Sequence, residues 1–224
     1  MALQPSLRPM IIAGRYDSPH TLDIFLDYVC PFSAKMSRVI DTVLKPLLDK
    51  GGKYDGKVKI VMRLQVQPWH GSSTFTHEAG LAVARCSEED FWTFSRKLFD
   101  EQEQFFDIPV STMTPLQIRE KLANVAAEII KKPKVDEFKK LLELRSTPNG
   151  GVAVTDDLKY TSTPQMRMSP LDRSNMQHLP VKFSRQNGIH VSPTVLWDGL
   201  VANEISSSWG EKEWTEFLAQ KVAV

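Results

Sequence analysis

At 224 residues, with 42% hydrophobic and 25% charged side chains, the chain has the composition of a globular protein large enough for one sizeable domain or a domain with an insertion. A formal net charge of +1 gives no electrostatic ground for nucleic acid or an anionic membrane as partner, and no apolar run nears the roughly 18–20 residues that span a bilayer. Two cysteines do not make a disulfide framework, so a reducing, cytoplasmic setting is expected.

Residues 1–20 contain Pro5, Pro9 and Gly14, and their one apolar stretch, Met10 to Ala13, is too short for the core of a signal segment. Leu22, Ile24 and Leu26 alternate as in a strand, and Cys30 follows just past its end. Phe32, Met36, Val39, Ile40, Val43 and Leu47 then fall at helical spacing. Pro31 suits the first helical turn, where its missing N–H costs nothing. Pro46 lies inside the pattern and predicts a kink, and Gly51-Gly52 predict the helix end. Residues 57–66 alternate cleanly, with Val58, Ile60, Met62, Leu64 and Val66 on one face and Lys57, Lys59, Arg63 and Gln65 on the other. Strand, helix and strand in this order predict a parallel βαβ unit with a right-handed crossover.

From Ser72 to about Leu144 the texture is helical. Phe75, Ala79, Ala82, Val83 and Cys86 share one helix face, as do Phe91, Phe94, Leu98 and Phe99 on the next helix. Thr114-Pro115 reads as an N-cap with proline at the first helical position, followed by Leu122, Val125, Ala126 and Ile129. Pro133 separates that helix from another carrying Phe138, Leu141 and Leu142, and Pro148 to Gly151 is a break. Residues 161–180 have no sustained period and hold three prolines and three of the eight methionines. They read as an irregular loop interrupting one helix, whose halves are residues 156–160 and 181–185, with Gly188 at its end. Met166, Met168, Met176 and His178 lack the repeats of a metal site, and no metal is expected.

Residues 194–197, Asp198-Gly199 and Leu200-Val201 read as a hairpin with a type I′ turn. The last helix is expected to start at Ser208 with Glu211 in a capping box, burying Trp209, Trp214, Phe217 and Leu218.

Cys30 carries the chemistry. It lies where a buried strand meets a helix N-terminus, and the unpaired N–H groups and dipole of that helix favour a thiolate. Cys86, on the apolar stripe with Ala79 and Val83, reads as core packing, or as a distant second thiol only if the fold brings it within disulfide reach. Gln67-Pro-Trp-His70 follows the second strand at the sheet end that carries Cys30, where ligands gather in such sheets. Trp69 and His70 are therefore candidate cleft residues, with His70 an acid or base near neutral pH. His77 and Glu78 are weaker candidates, and the seven-residue spacing of His70 and His77 is no zinc signature. Asp27 and Tyr28 near the cysteine are weaker candidates still, since a carboxylate and an aromatic at a strand end often serve as a cap and packing.

The segment Cys30-Pro31-Phe32-Ser33 and the loop Val191-Ser192-Pro193-Thr194, at matching ends of their elements, resemble the two active-site motifs of DsbA-like thioredoxin-fold oxidoreductases. Kappa-class glutathione transferases and 2-hydroxychromene-2-carboxylate isomerases are relatives of that family. The resemblance implies an α/β thioredoxin-like fold (βαβ…ββα) with a helical insertion between its halves. The core would be residues 1–71 and 189–224, and the insertion 72–188. It also implies that Pro193 is cis and faces Cys30, that Ser192 offers main-chain hydrogen bonds to a bound peptide or glutathione, and that Pro31 and Phe32 border the substrate.

The departure is Ser33, which stands where a dithiol site has its second cysteine. A Cys-x-x-Ser site forms a mixed disulfide but has no second sulfur at hand to release it. Ser33 is expected to donate to the Cys30 thiolate instead. The leading reading is a monothiol oxidoreductase working through a Cys30 mixed disulfide with glutathione or a protein thiol. Glutathione would be a co-substrate, with no tightly bound cofactor. The alternatives are a glutathione-dependent transferase or isomerase acting on a small molecule, and a non-catalytic module holding an extended peptide beside Pro193. The relatives' transferase and isomerase sites have serine where this chain has Cys30, which weighs against the former. A homodimer is an option by resemblance, although no residue pattern demonstrates it.

Overall fold

The computed structural model describes residues 5–160, 184 and 187–222. The loop expected at 161–180, with its methionines and His178, lies outside the described residues, as does the helix half at 181–185 apart from Ser184. Five strands form one sheet in the order β1–β3–β2–β4–β5. They are β1 (Ile11–Ala13), β2 (His20–Leu26), β3 (Val58–Leu64), β4 (Thr194–Trp197) and β5 (Leu200–Val201). Strands β2 and β3 are parallel, in register from His20↔Val58 to Leu26↔Leu64. Strand β4 runs antiparallel on the other side of β2, and β5 closes the hairpin.

The alternation along β2 and β3 decides what each sheet face does. Leu22, Ile24, Leu26, Ile60, Met62 and Leu64 share one face and are all at most 4% exposed. They join the main core with Val195 of β4 and the helices of the middle segment. The opposite face carries a small cluster of Phe25, Ile189 and Leu196 beside a buried Arg63–Asp23 ion pair at 2.7 Å. Strand β3 ends at Leu64, two residues short of the alternating stretch. Gln65 N–H still bonds Leu26 C=O, and beyond it the chain turns down toward Asp27. Strand β1 was not expected, since three residues are too few to display a period.

Helix α1 (Pro31–Val39) runs through a π-helical segment, Ile40–Leu44, into α2 (Lys45–Leu48). Pro46 has no N–H to reach back to Thr42 and its ring crowds that carbonyl, so the helix widens just upstream. That is the form the kink takes. The middle segment adds α3 (Ser73–Cys86), α4 (Phe91–Asp100), α5 (Asp107–Val110), α6 (Pro115–Ala127), α7 (Lys132–Leu141) and α8 (Thr155–Tyr160). Helix α3 is buried almost all round because α4, α6, α7 and α8 all pack on it. Helix α6 opens with a capping box, Thr114 Oγ1 accepting from Gln117 N–H and Gln117 Oε1 from Thr114 N–H.

The β4–β5 turn has both central residues at positive φ, Asp198 at 48° and Gly199 at 87°, as a type I′ turn requires. The last helix, α9 (Glu211–Lys221), starts later than expected. Its first free N–H is that of Gly210, which bonds Glu213 Oε2 at 2.9 Å, while the Ser208 hydroxyl pairs with Ser206. The Ser208/Glu211 cap is thus replaced by Gly210/Glu213. Trp209 lies ahead of the helix and packs edge-on against Trp214.

Candidate active site

Cys30 is the N-cap of α1, with extended backbone (φ −86°, ψ 121°), and Pro31 takes the first helical position. A turn prepares it, Cys30 N–H bonding Asp27 C=O at 3.0 Å, and the first intrahelical bond runs from Ala34 N–H to Cys30 C=O. The side chain is 6% exposed, and its Sγ donates to Ser192 C=O at 3.4 Å. The Ser192–Pro193 bond is cis. The two motifs, 162 residues apart in sequence, are thus in direct contact.

Beneath the cysteine lies a carboxylate that sequence reasoning undervalued. Asp27 is fully buried at the end of β2 and gathers four donors. Its Oδ1 accepts from Val29 N–H at 2.9 Å. Its Oδ2 accepts from Gln67 N–H at 2.9 Å, Ser73 Oγ at 2.8 Å and His70 Nδ1 at 3.1 Å. One side chain thereby ties together the Cys30 loop, the segment after β3 and the start of α3. A buried charge is tolerated only when its lone pairs are filled in this way. The one signal in the sequence was that Asp27 and the segment carrying His70 follow adjacent parallel strands at the same end of the sheet.

Ser33 is fully buried, and its hydroxyl oxygen accepts from Asp27 N–H at 3.1 Å. The Sγ of Cys30 has Ser192 C=O as its partner among the described residues. Two glutamines missed in the sequence hold the loops. Gln102, from the turn after α4, donates through Nε2 to Tyr28 C=O at 2.8 Å and to Cys30 C=O at 3.2 Å. Gln67, with its carboxamide oriented to suit its neighbours, donates to His190 C=O and accepts from Ser192 N–H at 2.6 Å and Ser192 Oγ at 3.1 Å. The Ser192 amide expected to serve a ligand is therefore already engaged within the protein. No sequence pattern marks a glutamine for this task.

Beside the cysteine opens a cavity of about 400 Å³, bounded by Val29 and Pro31 on one side, His70 on another, and Phe106 to Pro109 from α5 and its approach. Phe32 (63% exposed), Trp69 (58%), Ile108 (87%) and Val191 (54%) put apolar surface on the protein exterior. Trp69 meets His70 edge-on. His77 and Glu78 are not part of this cleft. His77 is buried and bonded to the carbonyls of Ser73 and Leu26, and Glu78 is locked to Arg119 at 2.8 Å. Tyr28 packs against Phe99 and His77 and bonds Ser95 at 2.8 Å, and burial pushes its phenol well above the ordinary range.

Cys86 is the last residue of α3, whose first residue, Ser73, bonds Asp27 at the Cys30 end. Thirteen residues of helix at 1.5 Å each set it roughly 20 Å away, against less than 7 Å between Cα atoms in a disulfide. Both thiols are free. Burial first, and then the nearby Glu137, push the Cys86 thiol up to about 11.

No protein-family model matches the chain. Over 104 residues it is 35% identical to disulfide bond formation protein D of Bacillus subtilis, a match covering 44% of this chain and 42% of that protein. The chain thus aligns with less than half the length of the curated relative. Solved structures are similar over nearly the whole length. A protein-disulfide isomerase candidate from Pseudomonas syringae matches with a TM-score of 0.66 at 24% identity, covering 94% of this chain and 98% of its own. Oxidised BdbD of Bacillus subtilis matches with 0.58 at 16% identity, covering 97% and 95%. MdbA, a thiol-disulfide oxidoreductase from Actinomyces oris, matches with 0.56 at 18% identity, covering 92% and 83%. The chain has the thioredoxin-like fold of DsbA-type proteins, built around a Cys30-Pro31-Phe32-Ser33 helix start.

Proposed function

We propose that the protein is a monothiol thiol–disulfide oxidoreductase of the DsbA-like group, working through a mixed disulfide on Cys30. The observation that carries this reading is the contact of the helix-capping Cys30 Sγ with the carbonyl that precedes cis-Pro193. A helix N-terminus favours negative charge on sulfur, and the adjoining cavity gives a substrate room to approach. In the forward step the Cys30 thiolate attacks a disulfide R–S–S–R′. It forms Cys30–S–S–R and expels R′S⁻. Ser33 supplies no sulfur and Cys86 is far out of reach, so an external thiol has to release R.

That requirement favours deglutathionylation or disulfide isomerisation over net oxidation of dithiols. It also favours a thiol-rich, cytoplasmic compartment, with glutathione as co-substrate. Among the described residues, no helix is long and apolar enough to cross a membrane. The cavity also suits a glutathione-dependent reaction on a small apolar molecule as the second reading. A peptide–glutathione mixed disulfide incubated with excess reduced glutathione separates the two. The first reading predicts turnover that Cys30→Ser abolishes, with a Cys30 adduct trapped by mass spectrometry. Glutathione binding and small-molecule turnover that survive Cys30→Ser would replace it with the second.

A further inference from the structure

Resting on the monothiol reading, we infer that the His70–Asp27 pair is the proton-transfer device that takes the place of the missing second cysteine. His70 is held at Nδ1 by the Asp27 carboxylate, which is itself fully buried and fixed by Val29 N–H, Gln67 N–H and the Ser73 hydroxyl. A histidine whose Nδ1 proton is bound to a carboxylate keeps Nε2 as its basic nitrogen. The His70 side chain is 20% exposed and lines the same cavity as Val29 and Pro31, the two neighbours of Cys30. Nε2, on the far edge of the ring from Asp27, is the nitrogen left to meet whatever enters. Among the described residues, the other ionisable side chain lining this cavity is Asp107, which accepts from Gly71 N–H at 3.1 Å.

The step this geometry serves is release. An incoming thiol R″S–H attacks the outer sulfur of Cys30–S–S–R. The R″S–SR bond forms and the Sγ–SR bond breaks, so R″S is oxidised and Sγ leaves as the Cys30 thiolate. The thiol proton goes to His70 Nε2 and returns from there to solvent or to Sγ. A dithiol site avoids the need, because its second sulfur attacks from within the molecule. A monothiol site depends on a solution thiol that is only a few per cent ionised near neutral pH, so a base beside the cavity has something to gain.

The size of the gain has a ceiling. A thiol with the ordinary value near 8.5 is about one-thirtieth ionised at pH 7, so full deprotonation accelerates attack at most roughly thirtyfold. The advantage disappears above that value, where the thiol ionises without help.

The test starts from the Cys30–glutathione mixed disulfide, prepared with oxidised glutathione, and follows its loss on adding reduced glutathione by intact mass. His70→Ala and His70→Asn are compared with the wild type, the latter keeping a donor for Asp27 without a basic nitrogen. The expected result is release slowed about tenfold or more in both variants near pH 7 and almost unchanged near pH 9.5. Free imidazole should restore the rate of His70→Ala by entering the vacated space. Release at wild-type rate near pH 7, or an equal slowing at both pH values that imidazole leaves untouched, overturns the role of His70. Failure of the wild type to form the adduct on Cys30 is a separate outcome, which overturns the monothiol reading itself.

Discussion

The two cysteines of this protein are almost equally buried, Cys30 at 6% exposure and Cys86 at 7%, yet their surroundings are opposite. Cys30 begins a helix and Cys86 ends one. At Cys86, burial first and then the nearby Glu137 oppose charge on the sulfur. Cys30 touches the loop at cis-Pro193 and borders a cavity, whereas Cys86 belongs to the main hydrophobic core. At nearly equal exposure, contact with the Ser192–Pro193 loop and a bordering cavity separates the working thiol from the packing one.

The largest expected effect comes from exchanging the roles. Cys30→Ser should abolish mixed-disulfide formation with oxidised glutathione, and Cys86→Ala should leave it intact, as read by intact mass. Persistence of the adduct in Cys30→Ser would erase the comparison. Next comes the support under Cys30. Asp27→Ala strands the buried amides of Val29 and Gln67 together with the Ser73 hydroxyl and His70. At about 1–3 kcal/mol for each unsatisfied buried group, a loss of at least about 3 kcal/mol is expected from urea unfolding.

Gly80→Ala probes the spacer between the two cysteines. A methyl there would sit 2.6 Å from Tyr28 Oη and 2.9 Å from its ring. Helix propensity alone favours alanine by about 1 kcal/mol. Tyr28 is fully buried and tied to Ser95, so the clash should win and the variant lose about 1–3 kcal/mol. A stabilised Gly80→Ala would show that Tyr28 moves freely. Gln102→Ala removes the two bonds to the carbonyls of Tyr28 and Cys30, and about 1 kcal/mol with a slower Cys30 reaction is expected.

A further effect is one of pH. The Cys86 thiol is raised from about 9 to about 11, so the folded protein holds that proton where the unfolded chain has lost it. Stability from this group should therefore be present below about pH 9 and fall as pH rises toward 11. Cys86→Ala should flatten that part of the urea-midpoint profile.

How legible all this was depends on whether the cause was local. The βαβ unit, the Asp198-Gly199 turn and the Thr114 cap were readable because period, turn chemistry and capping act over a few residues. Cys30 was readable because strand, cysteine, proline and helix are consecutive. The roles of Asp27, Gln67 and Gln102 were not. Each depends on partners that only folding brings near, 40 residues away for Asp27 and Gln67, and 72 for Gln102 and Cys30. His77 failed as a cleft residue for the same reason: the helix it stands on turns it toward Leu26 C=O. The cap of α9 slipped two residues because the Ser208 hydroxyl pairs with Ser206, while the Glu213 carboxylate takes the Gly210 N–H.

The most direct test of the central claim is the alkylation of the native protein by iodoacetamide, with each cysteine read separately by peptide mapping. Rapid labelling of Cys30, with Cys86 protected until the protein is unfolded, is the predicted result. An inert Cys30, or a Cys86 that reacts as fast, would contradict the assignment of Cys30 as the working thiol.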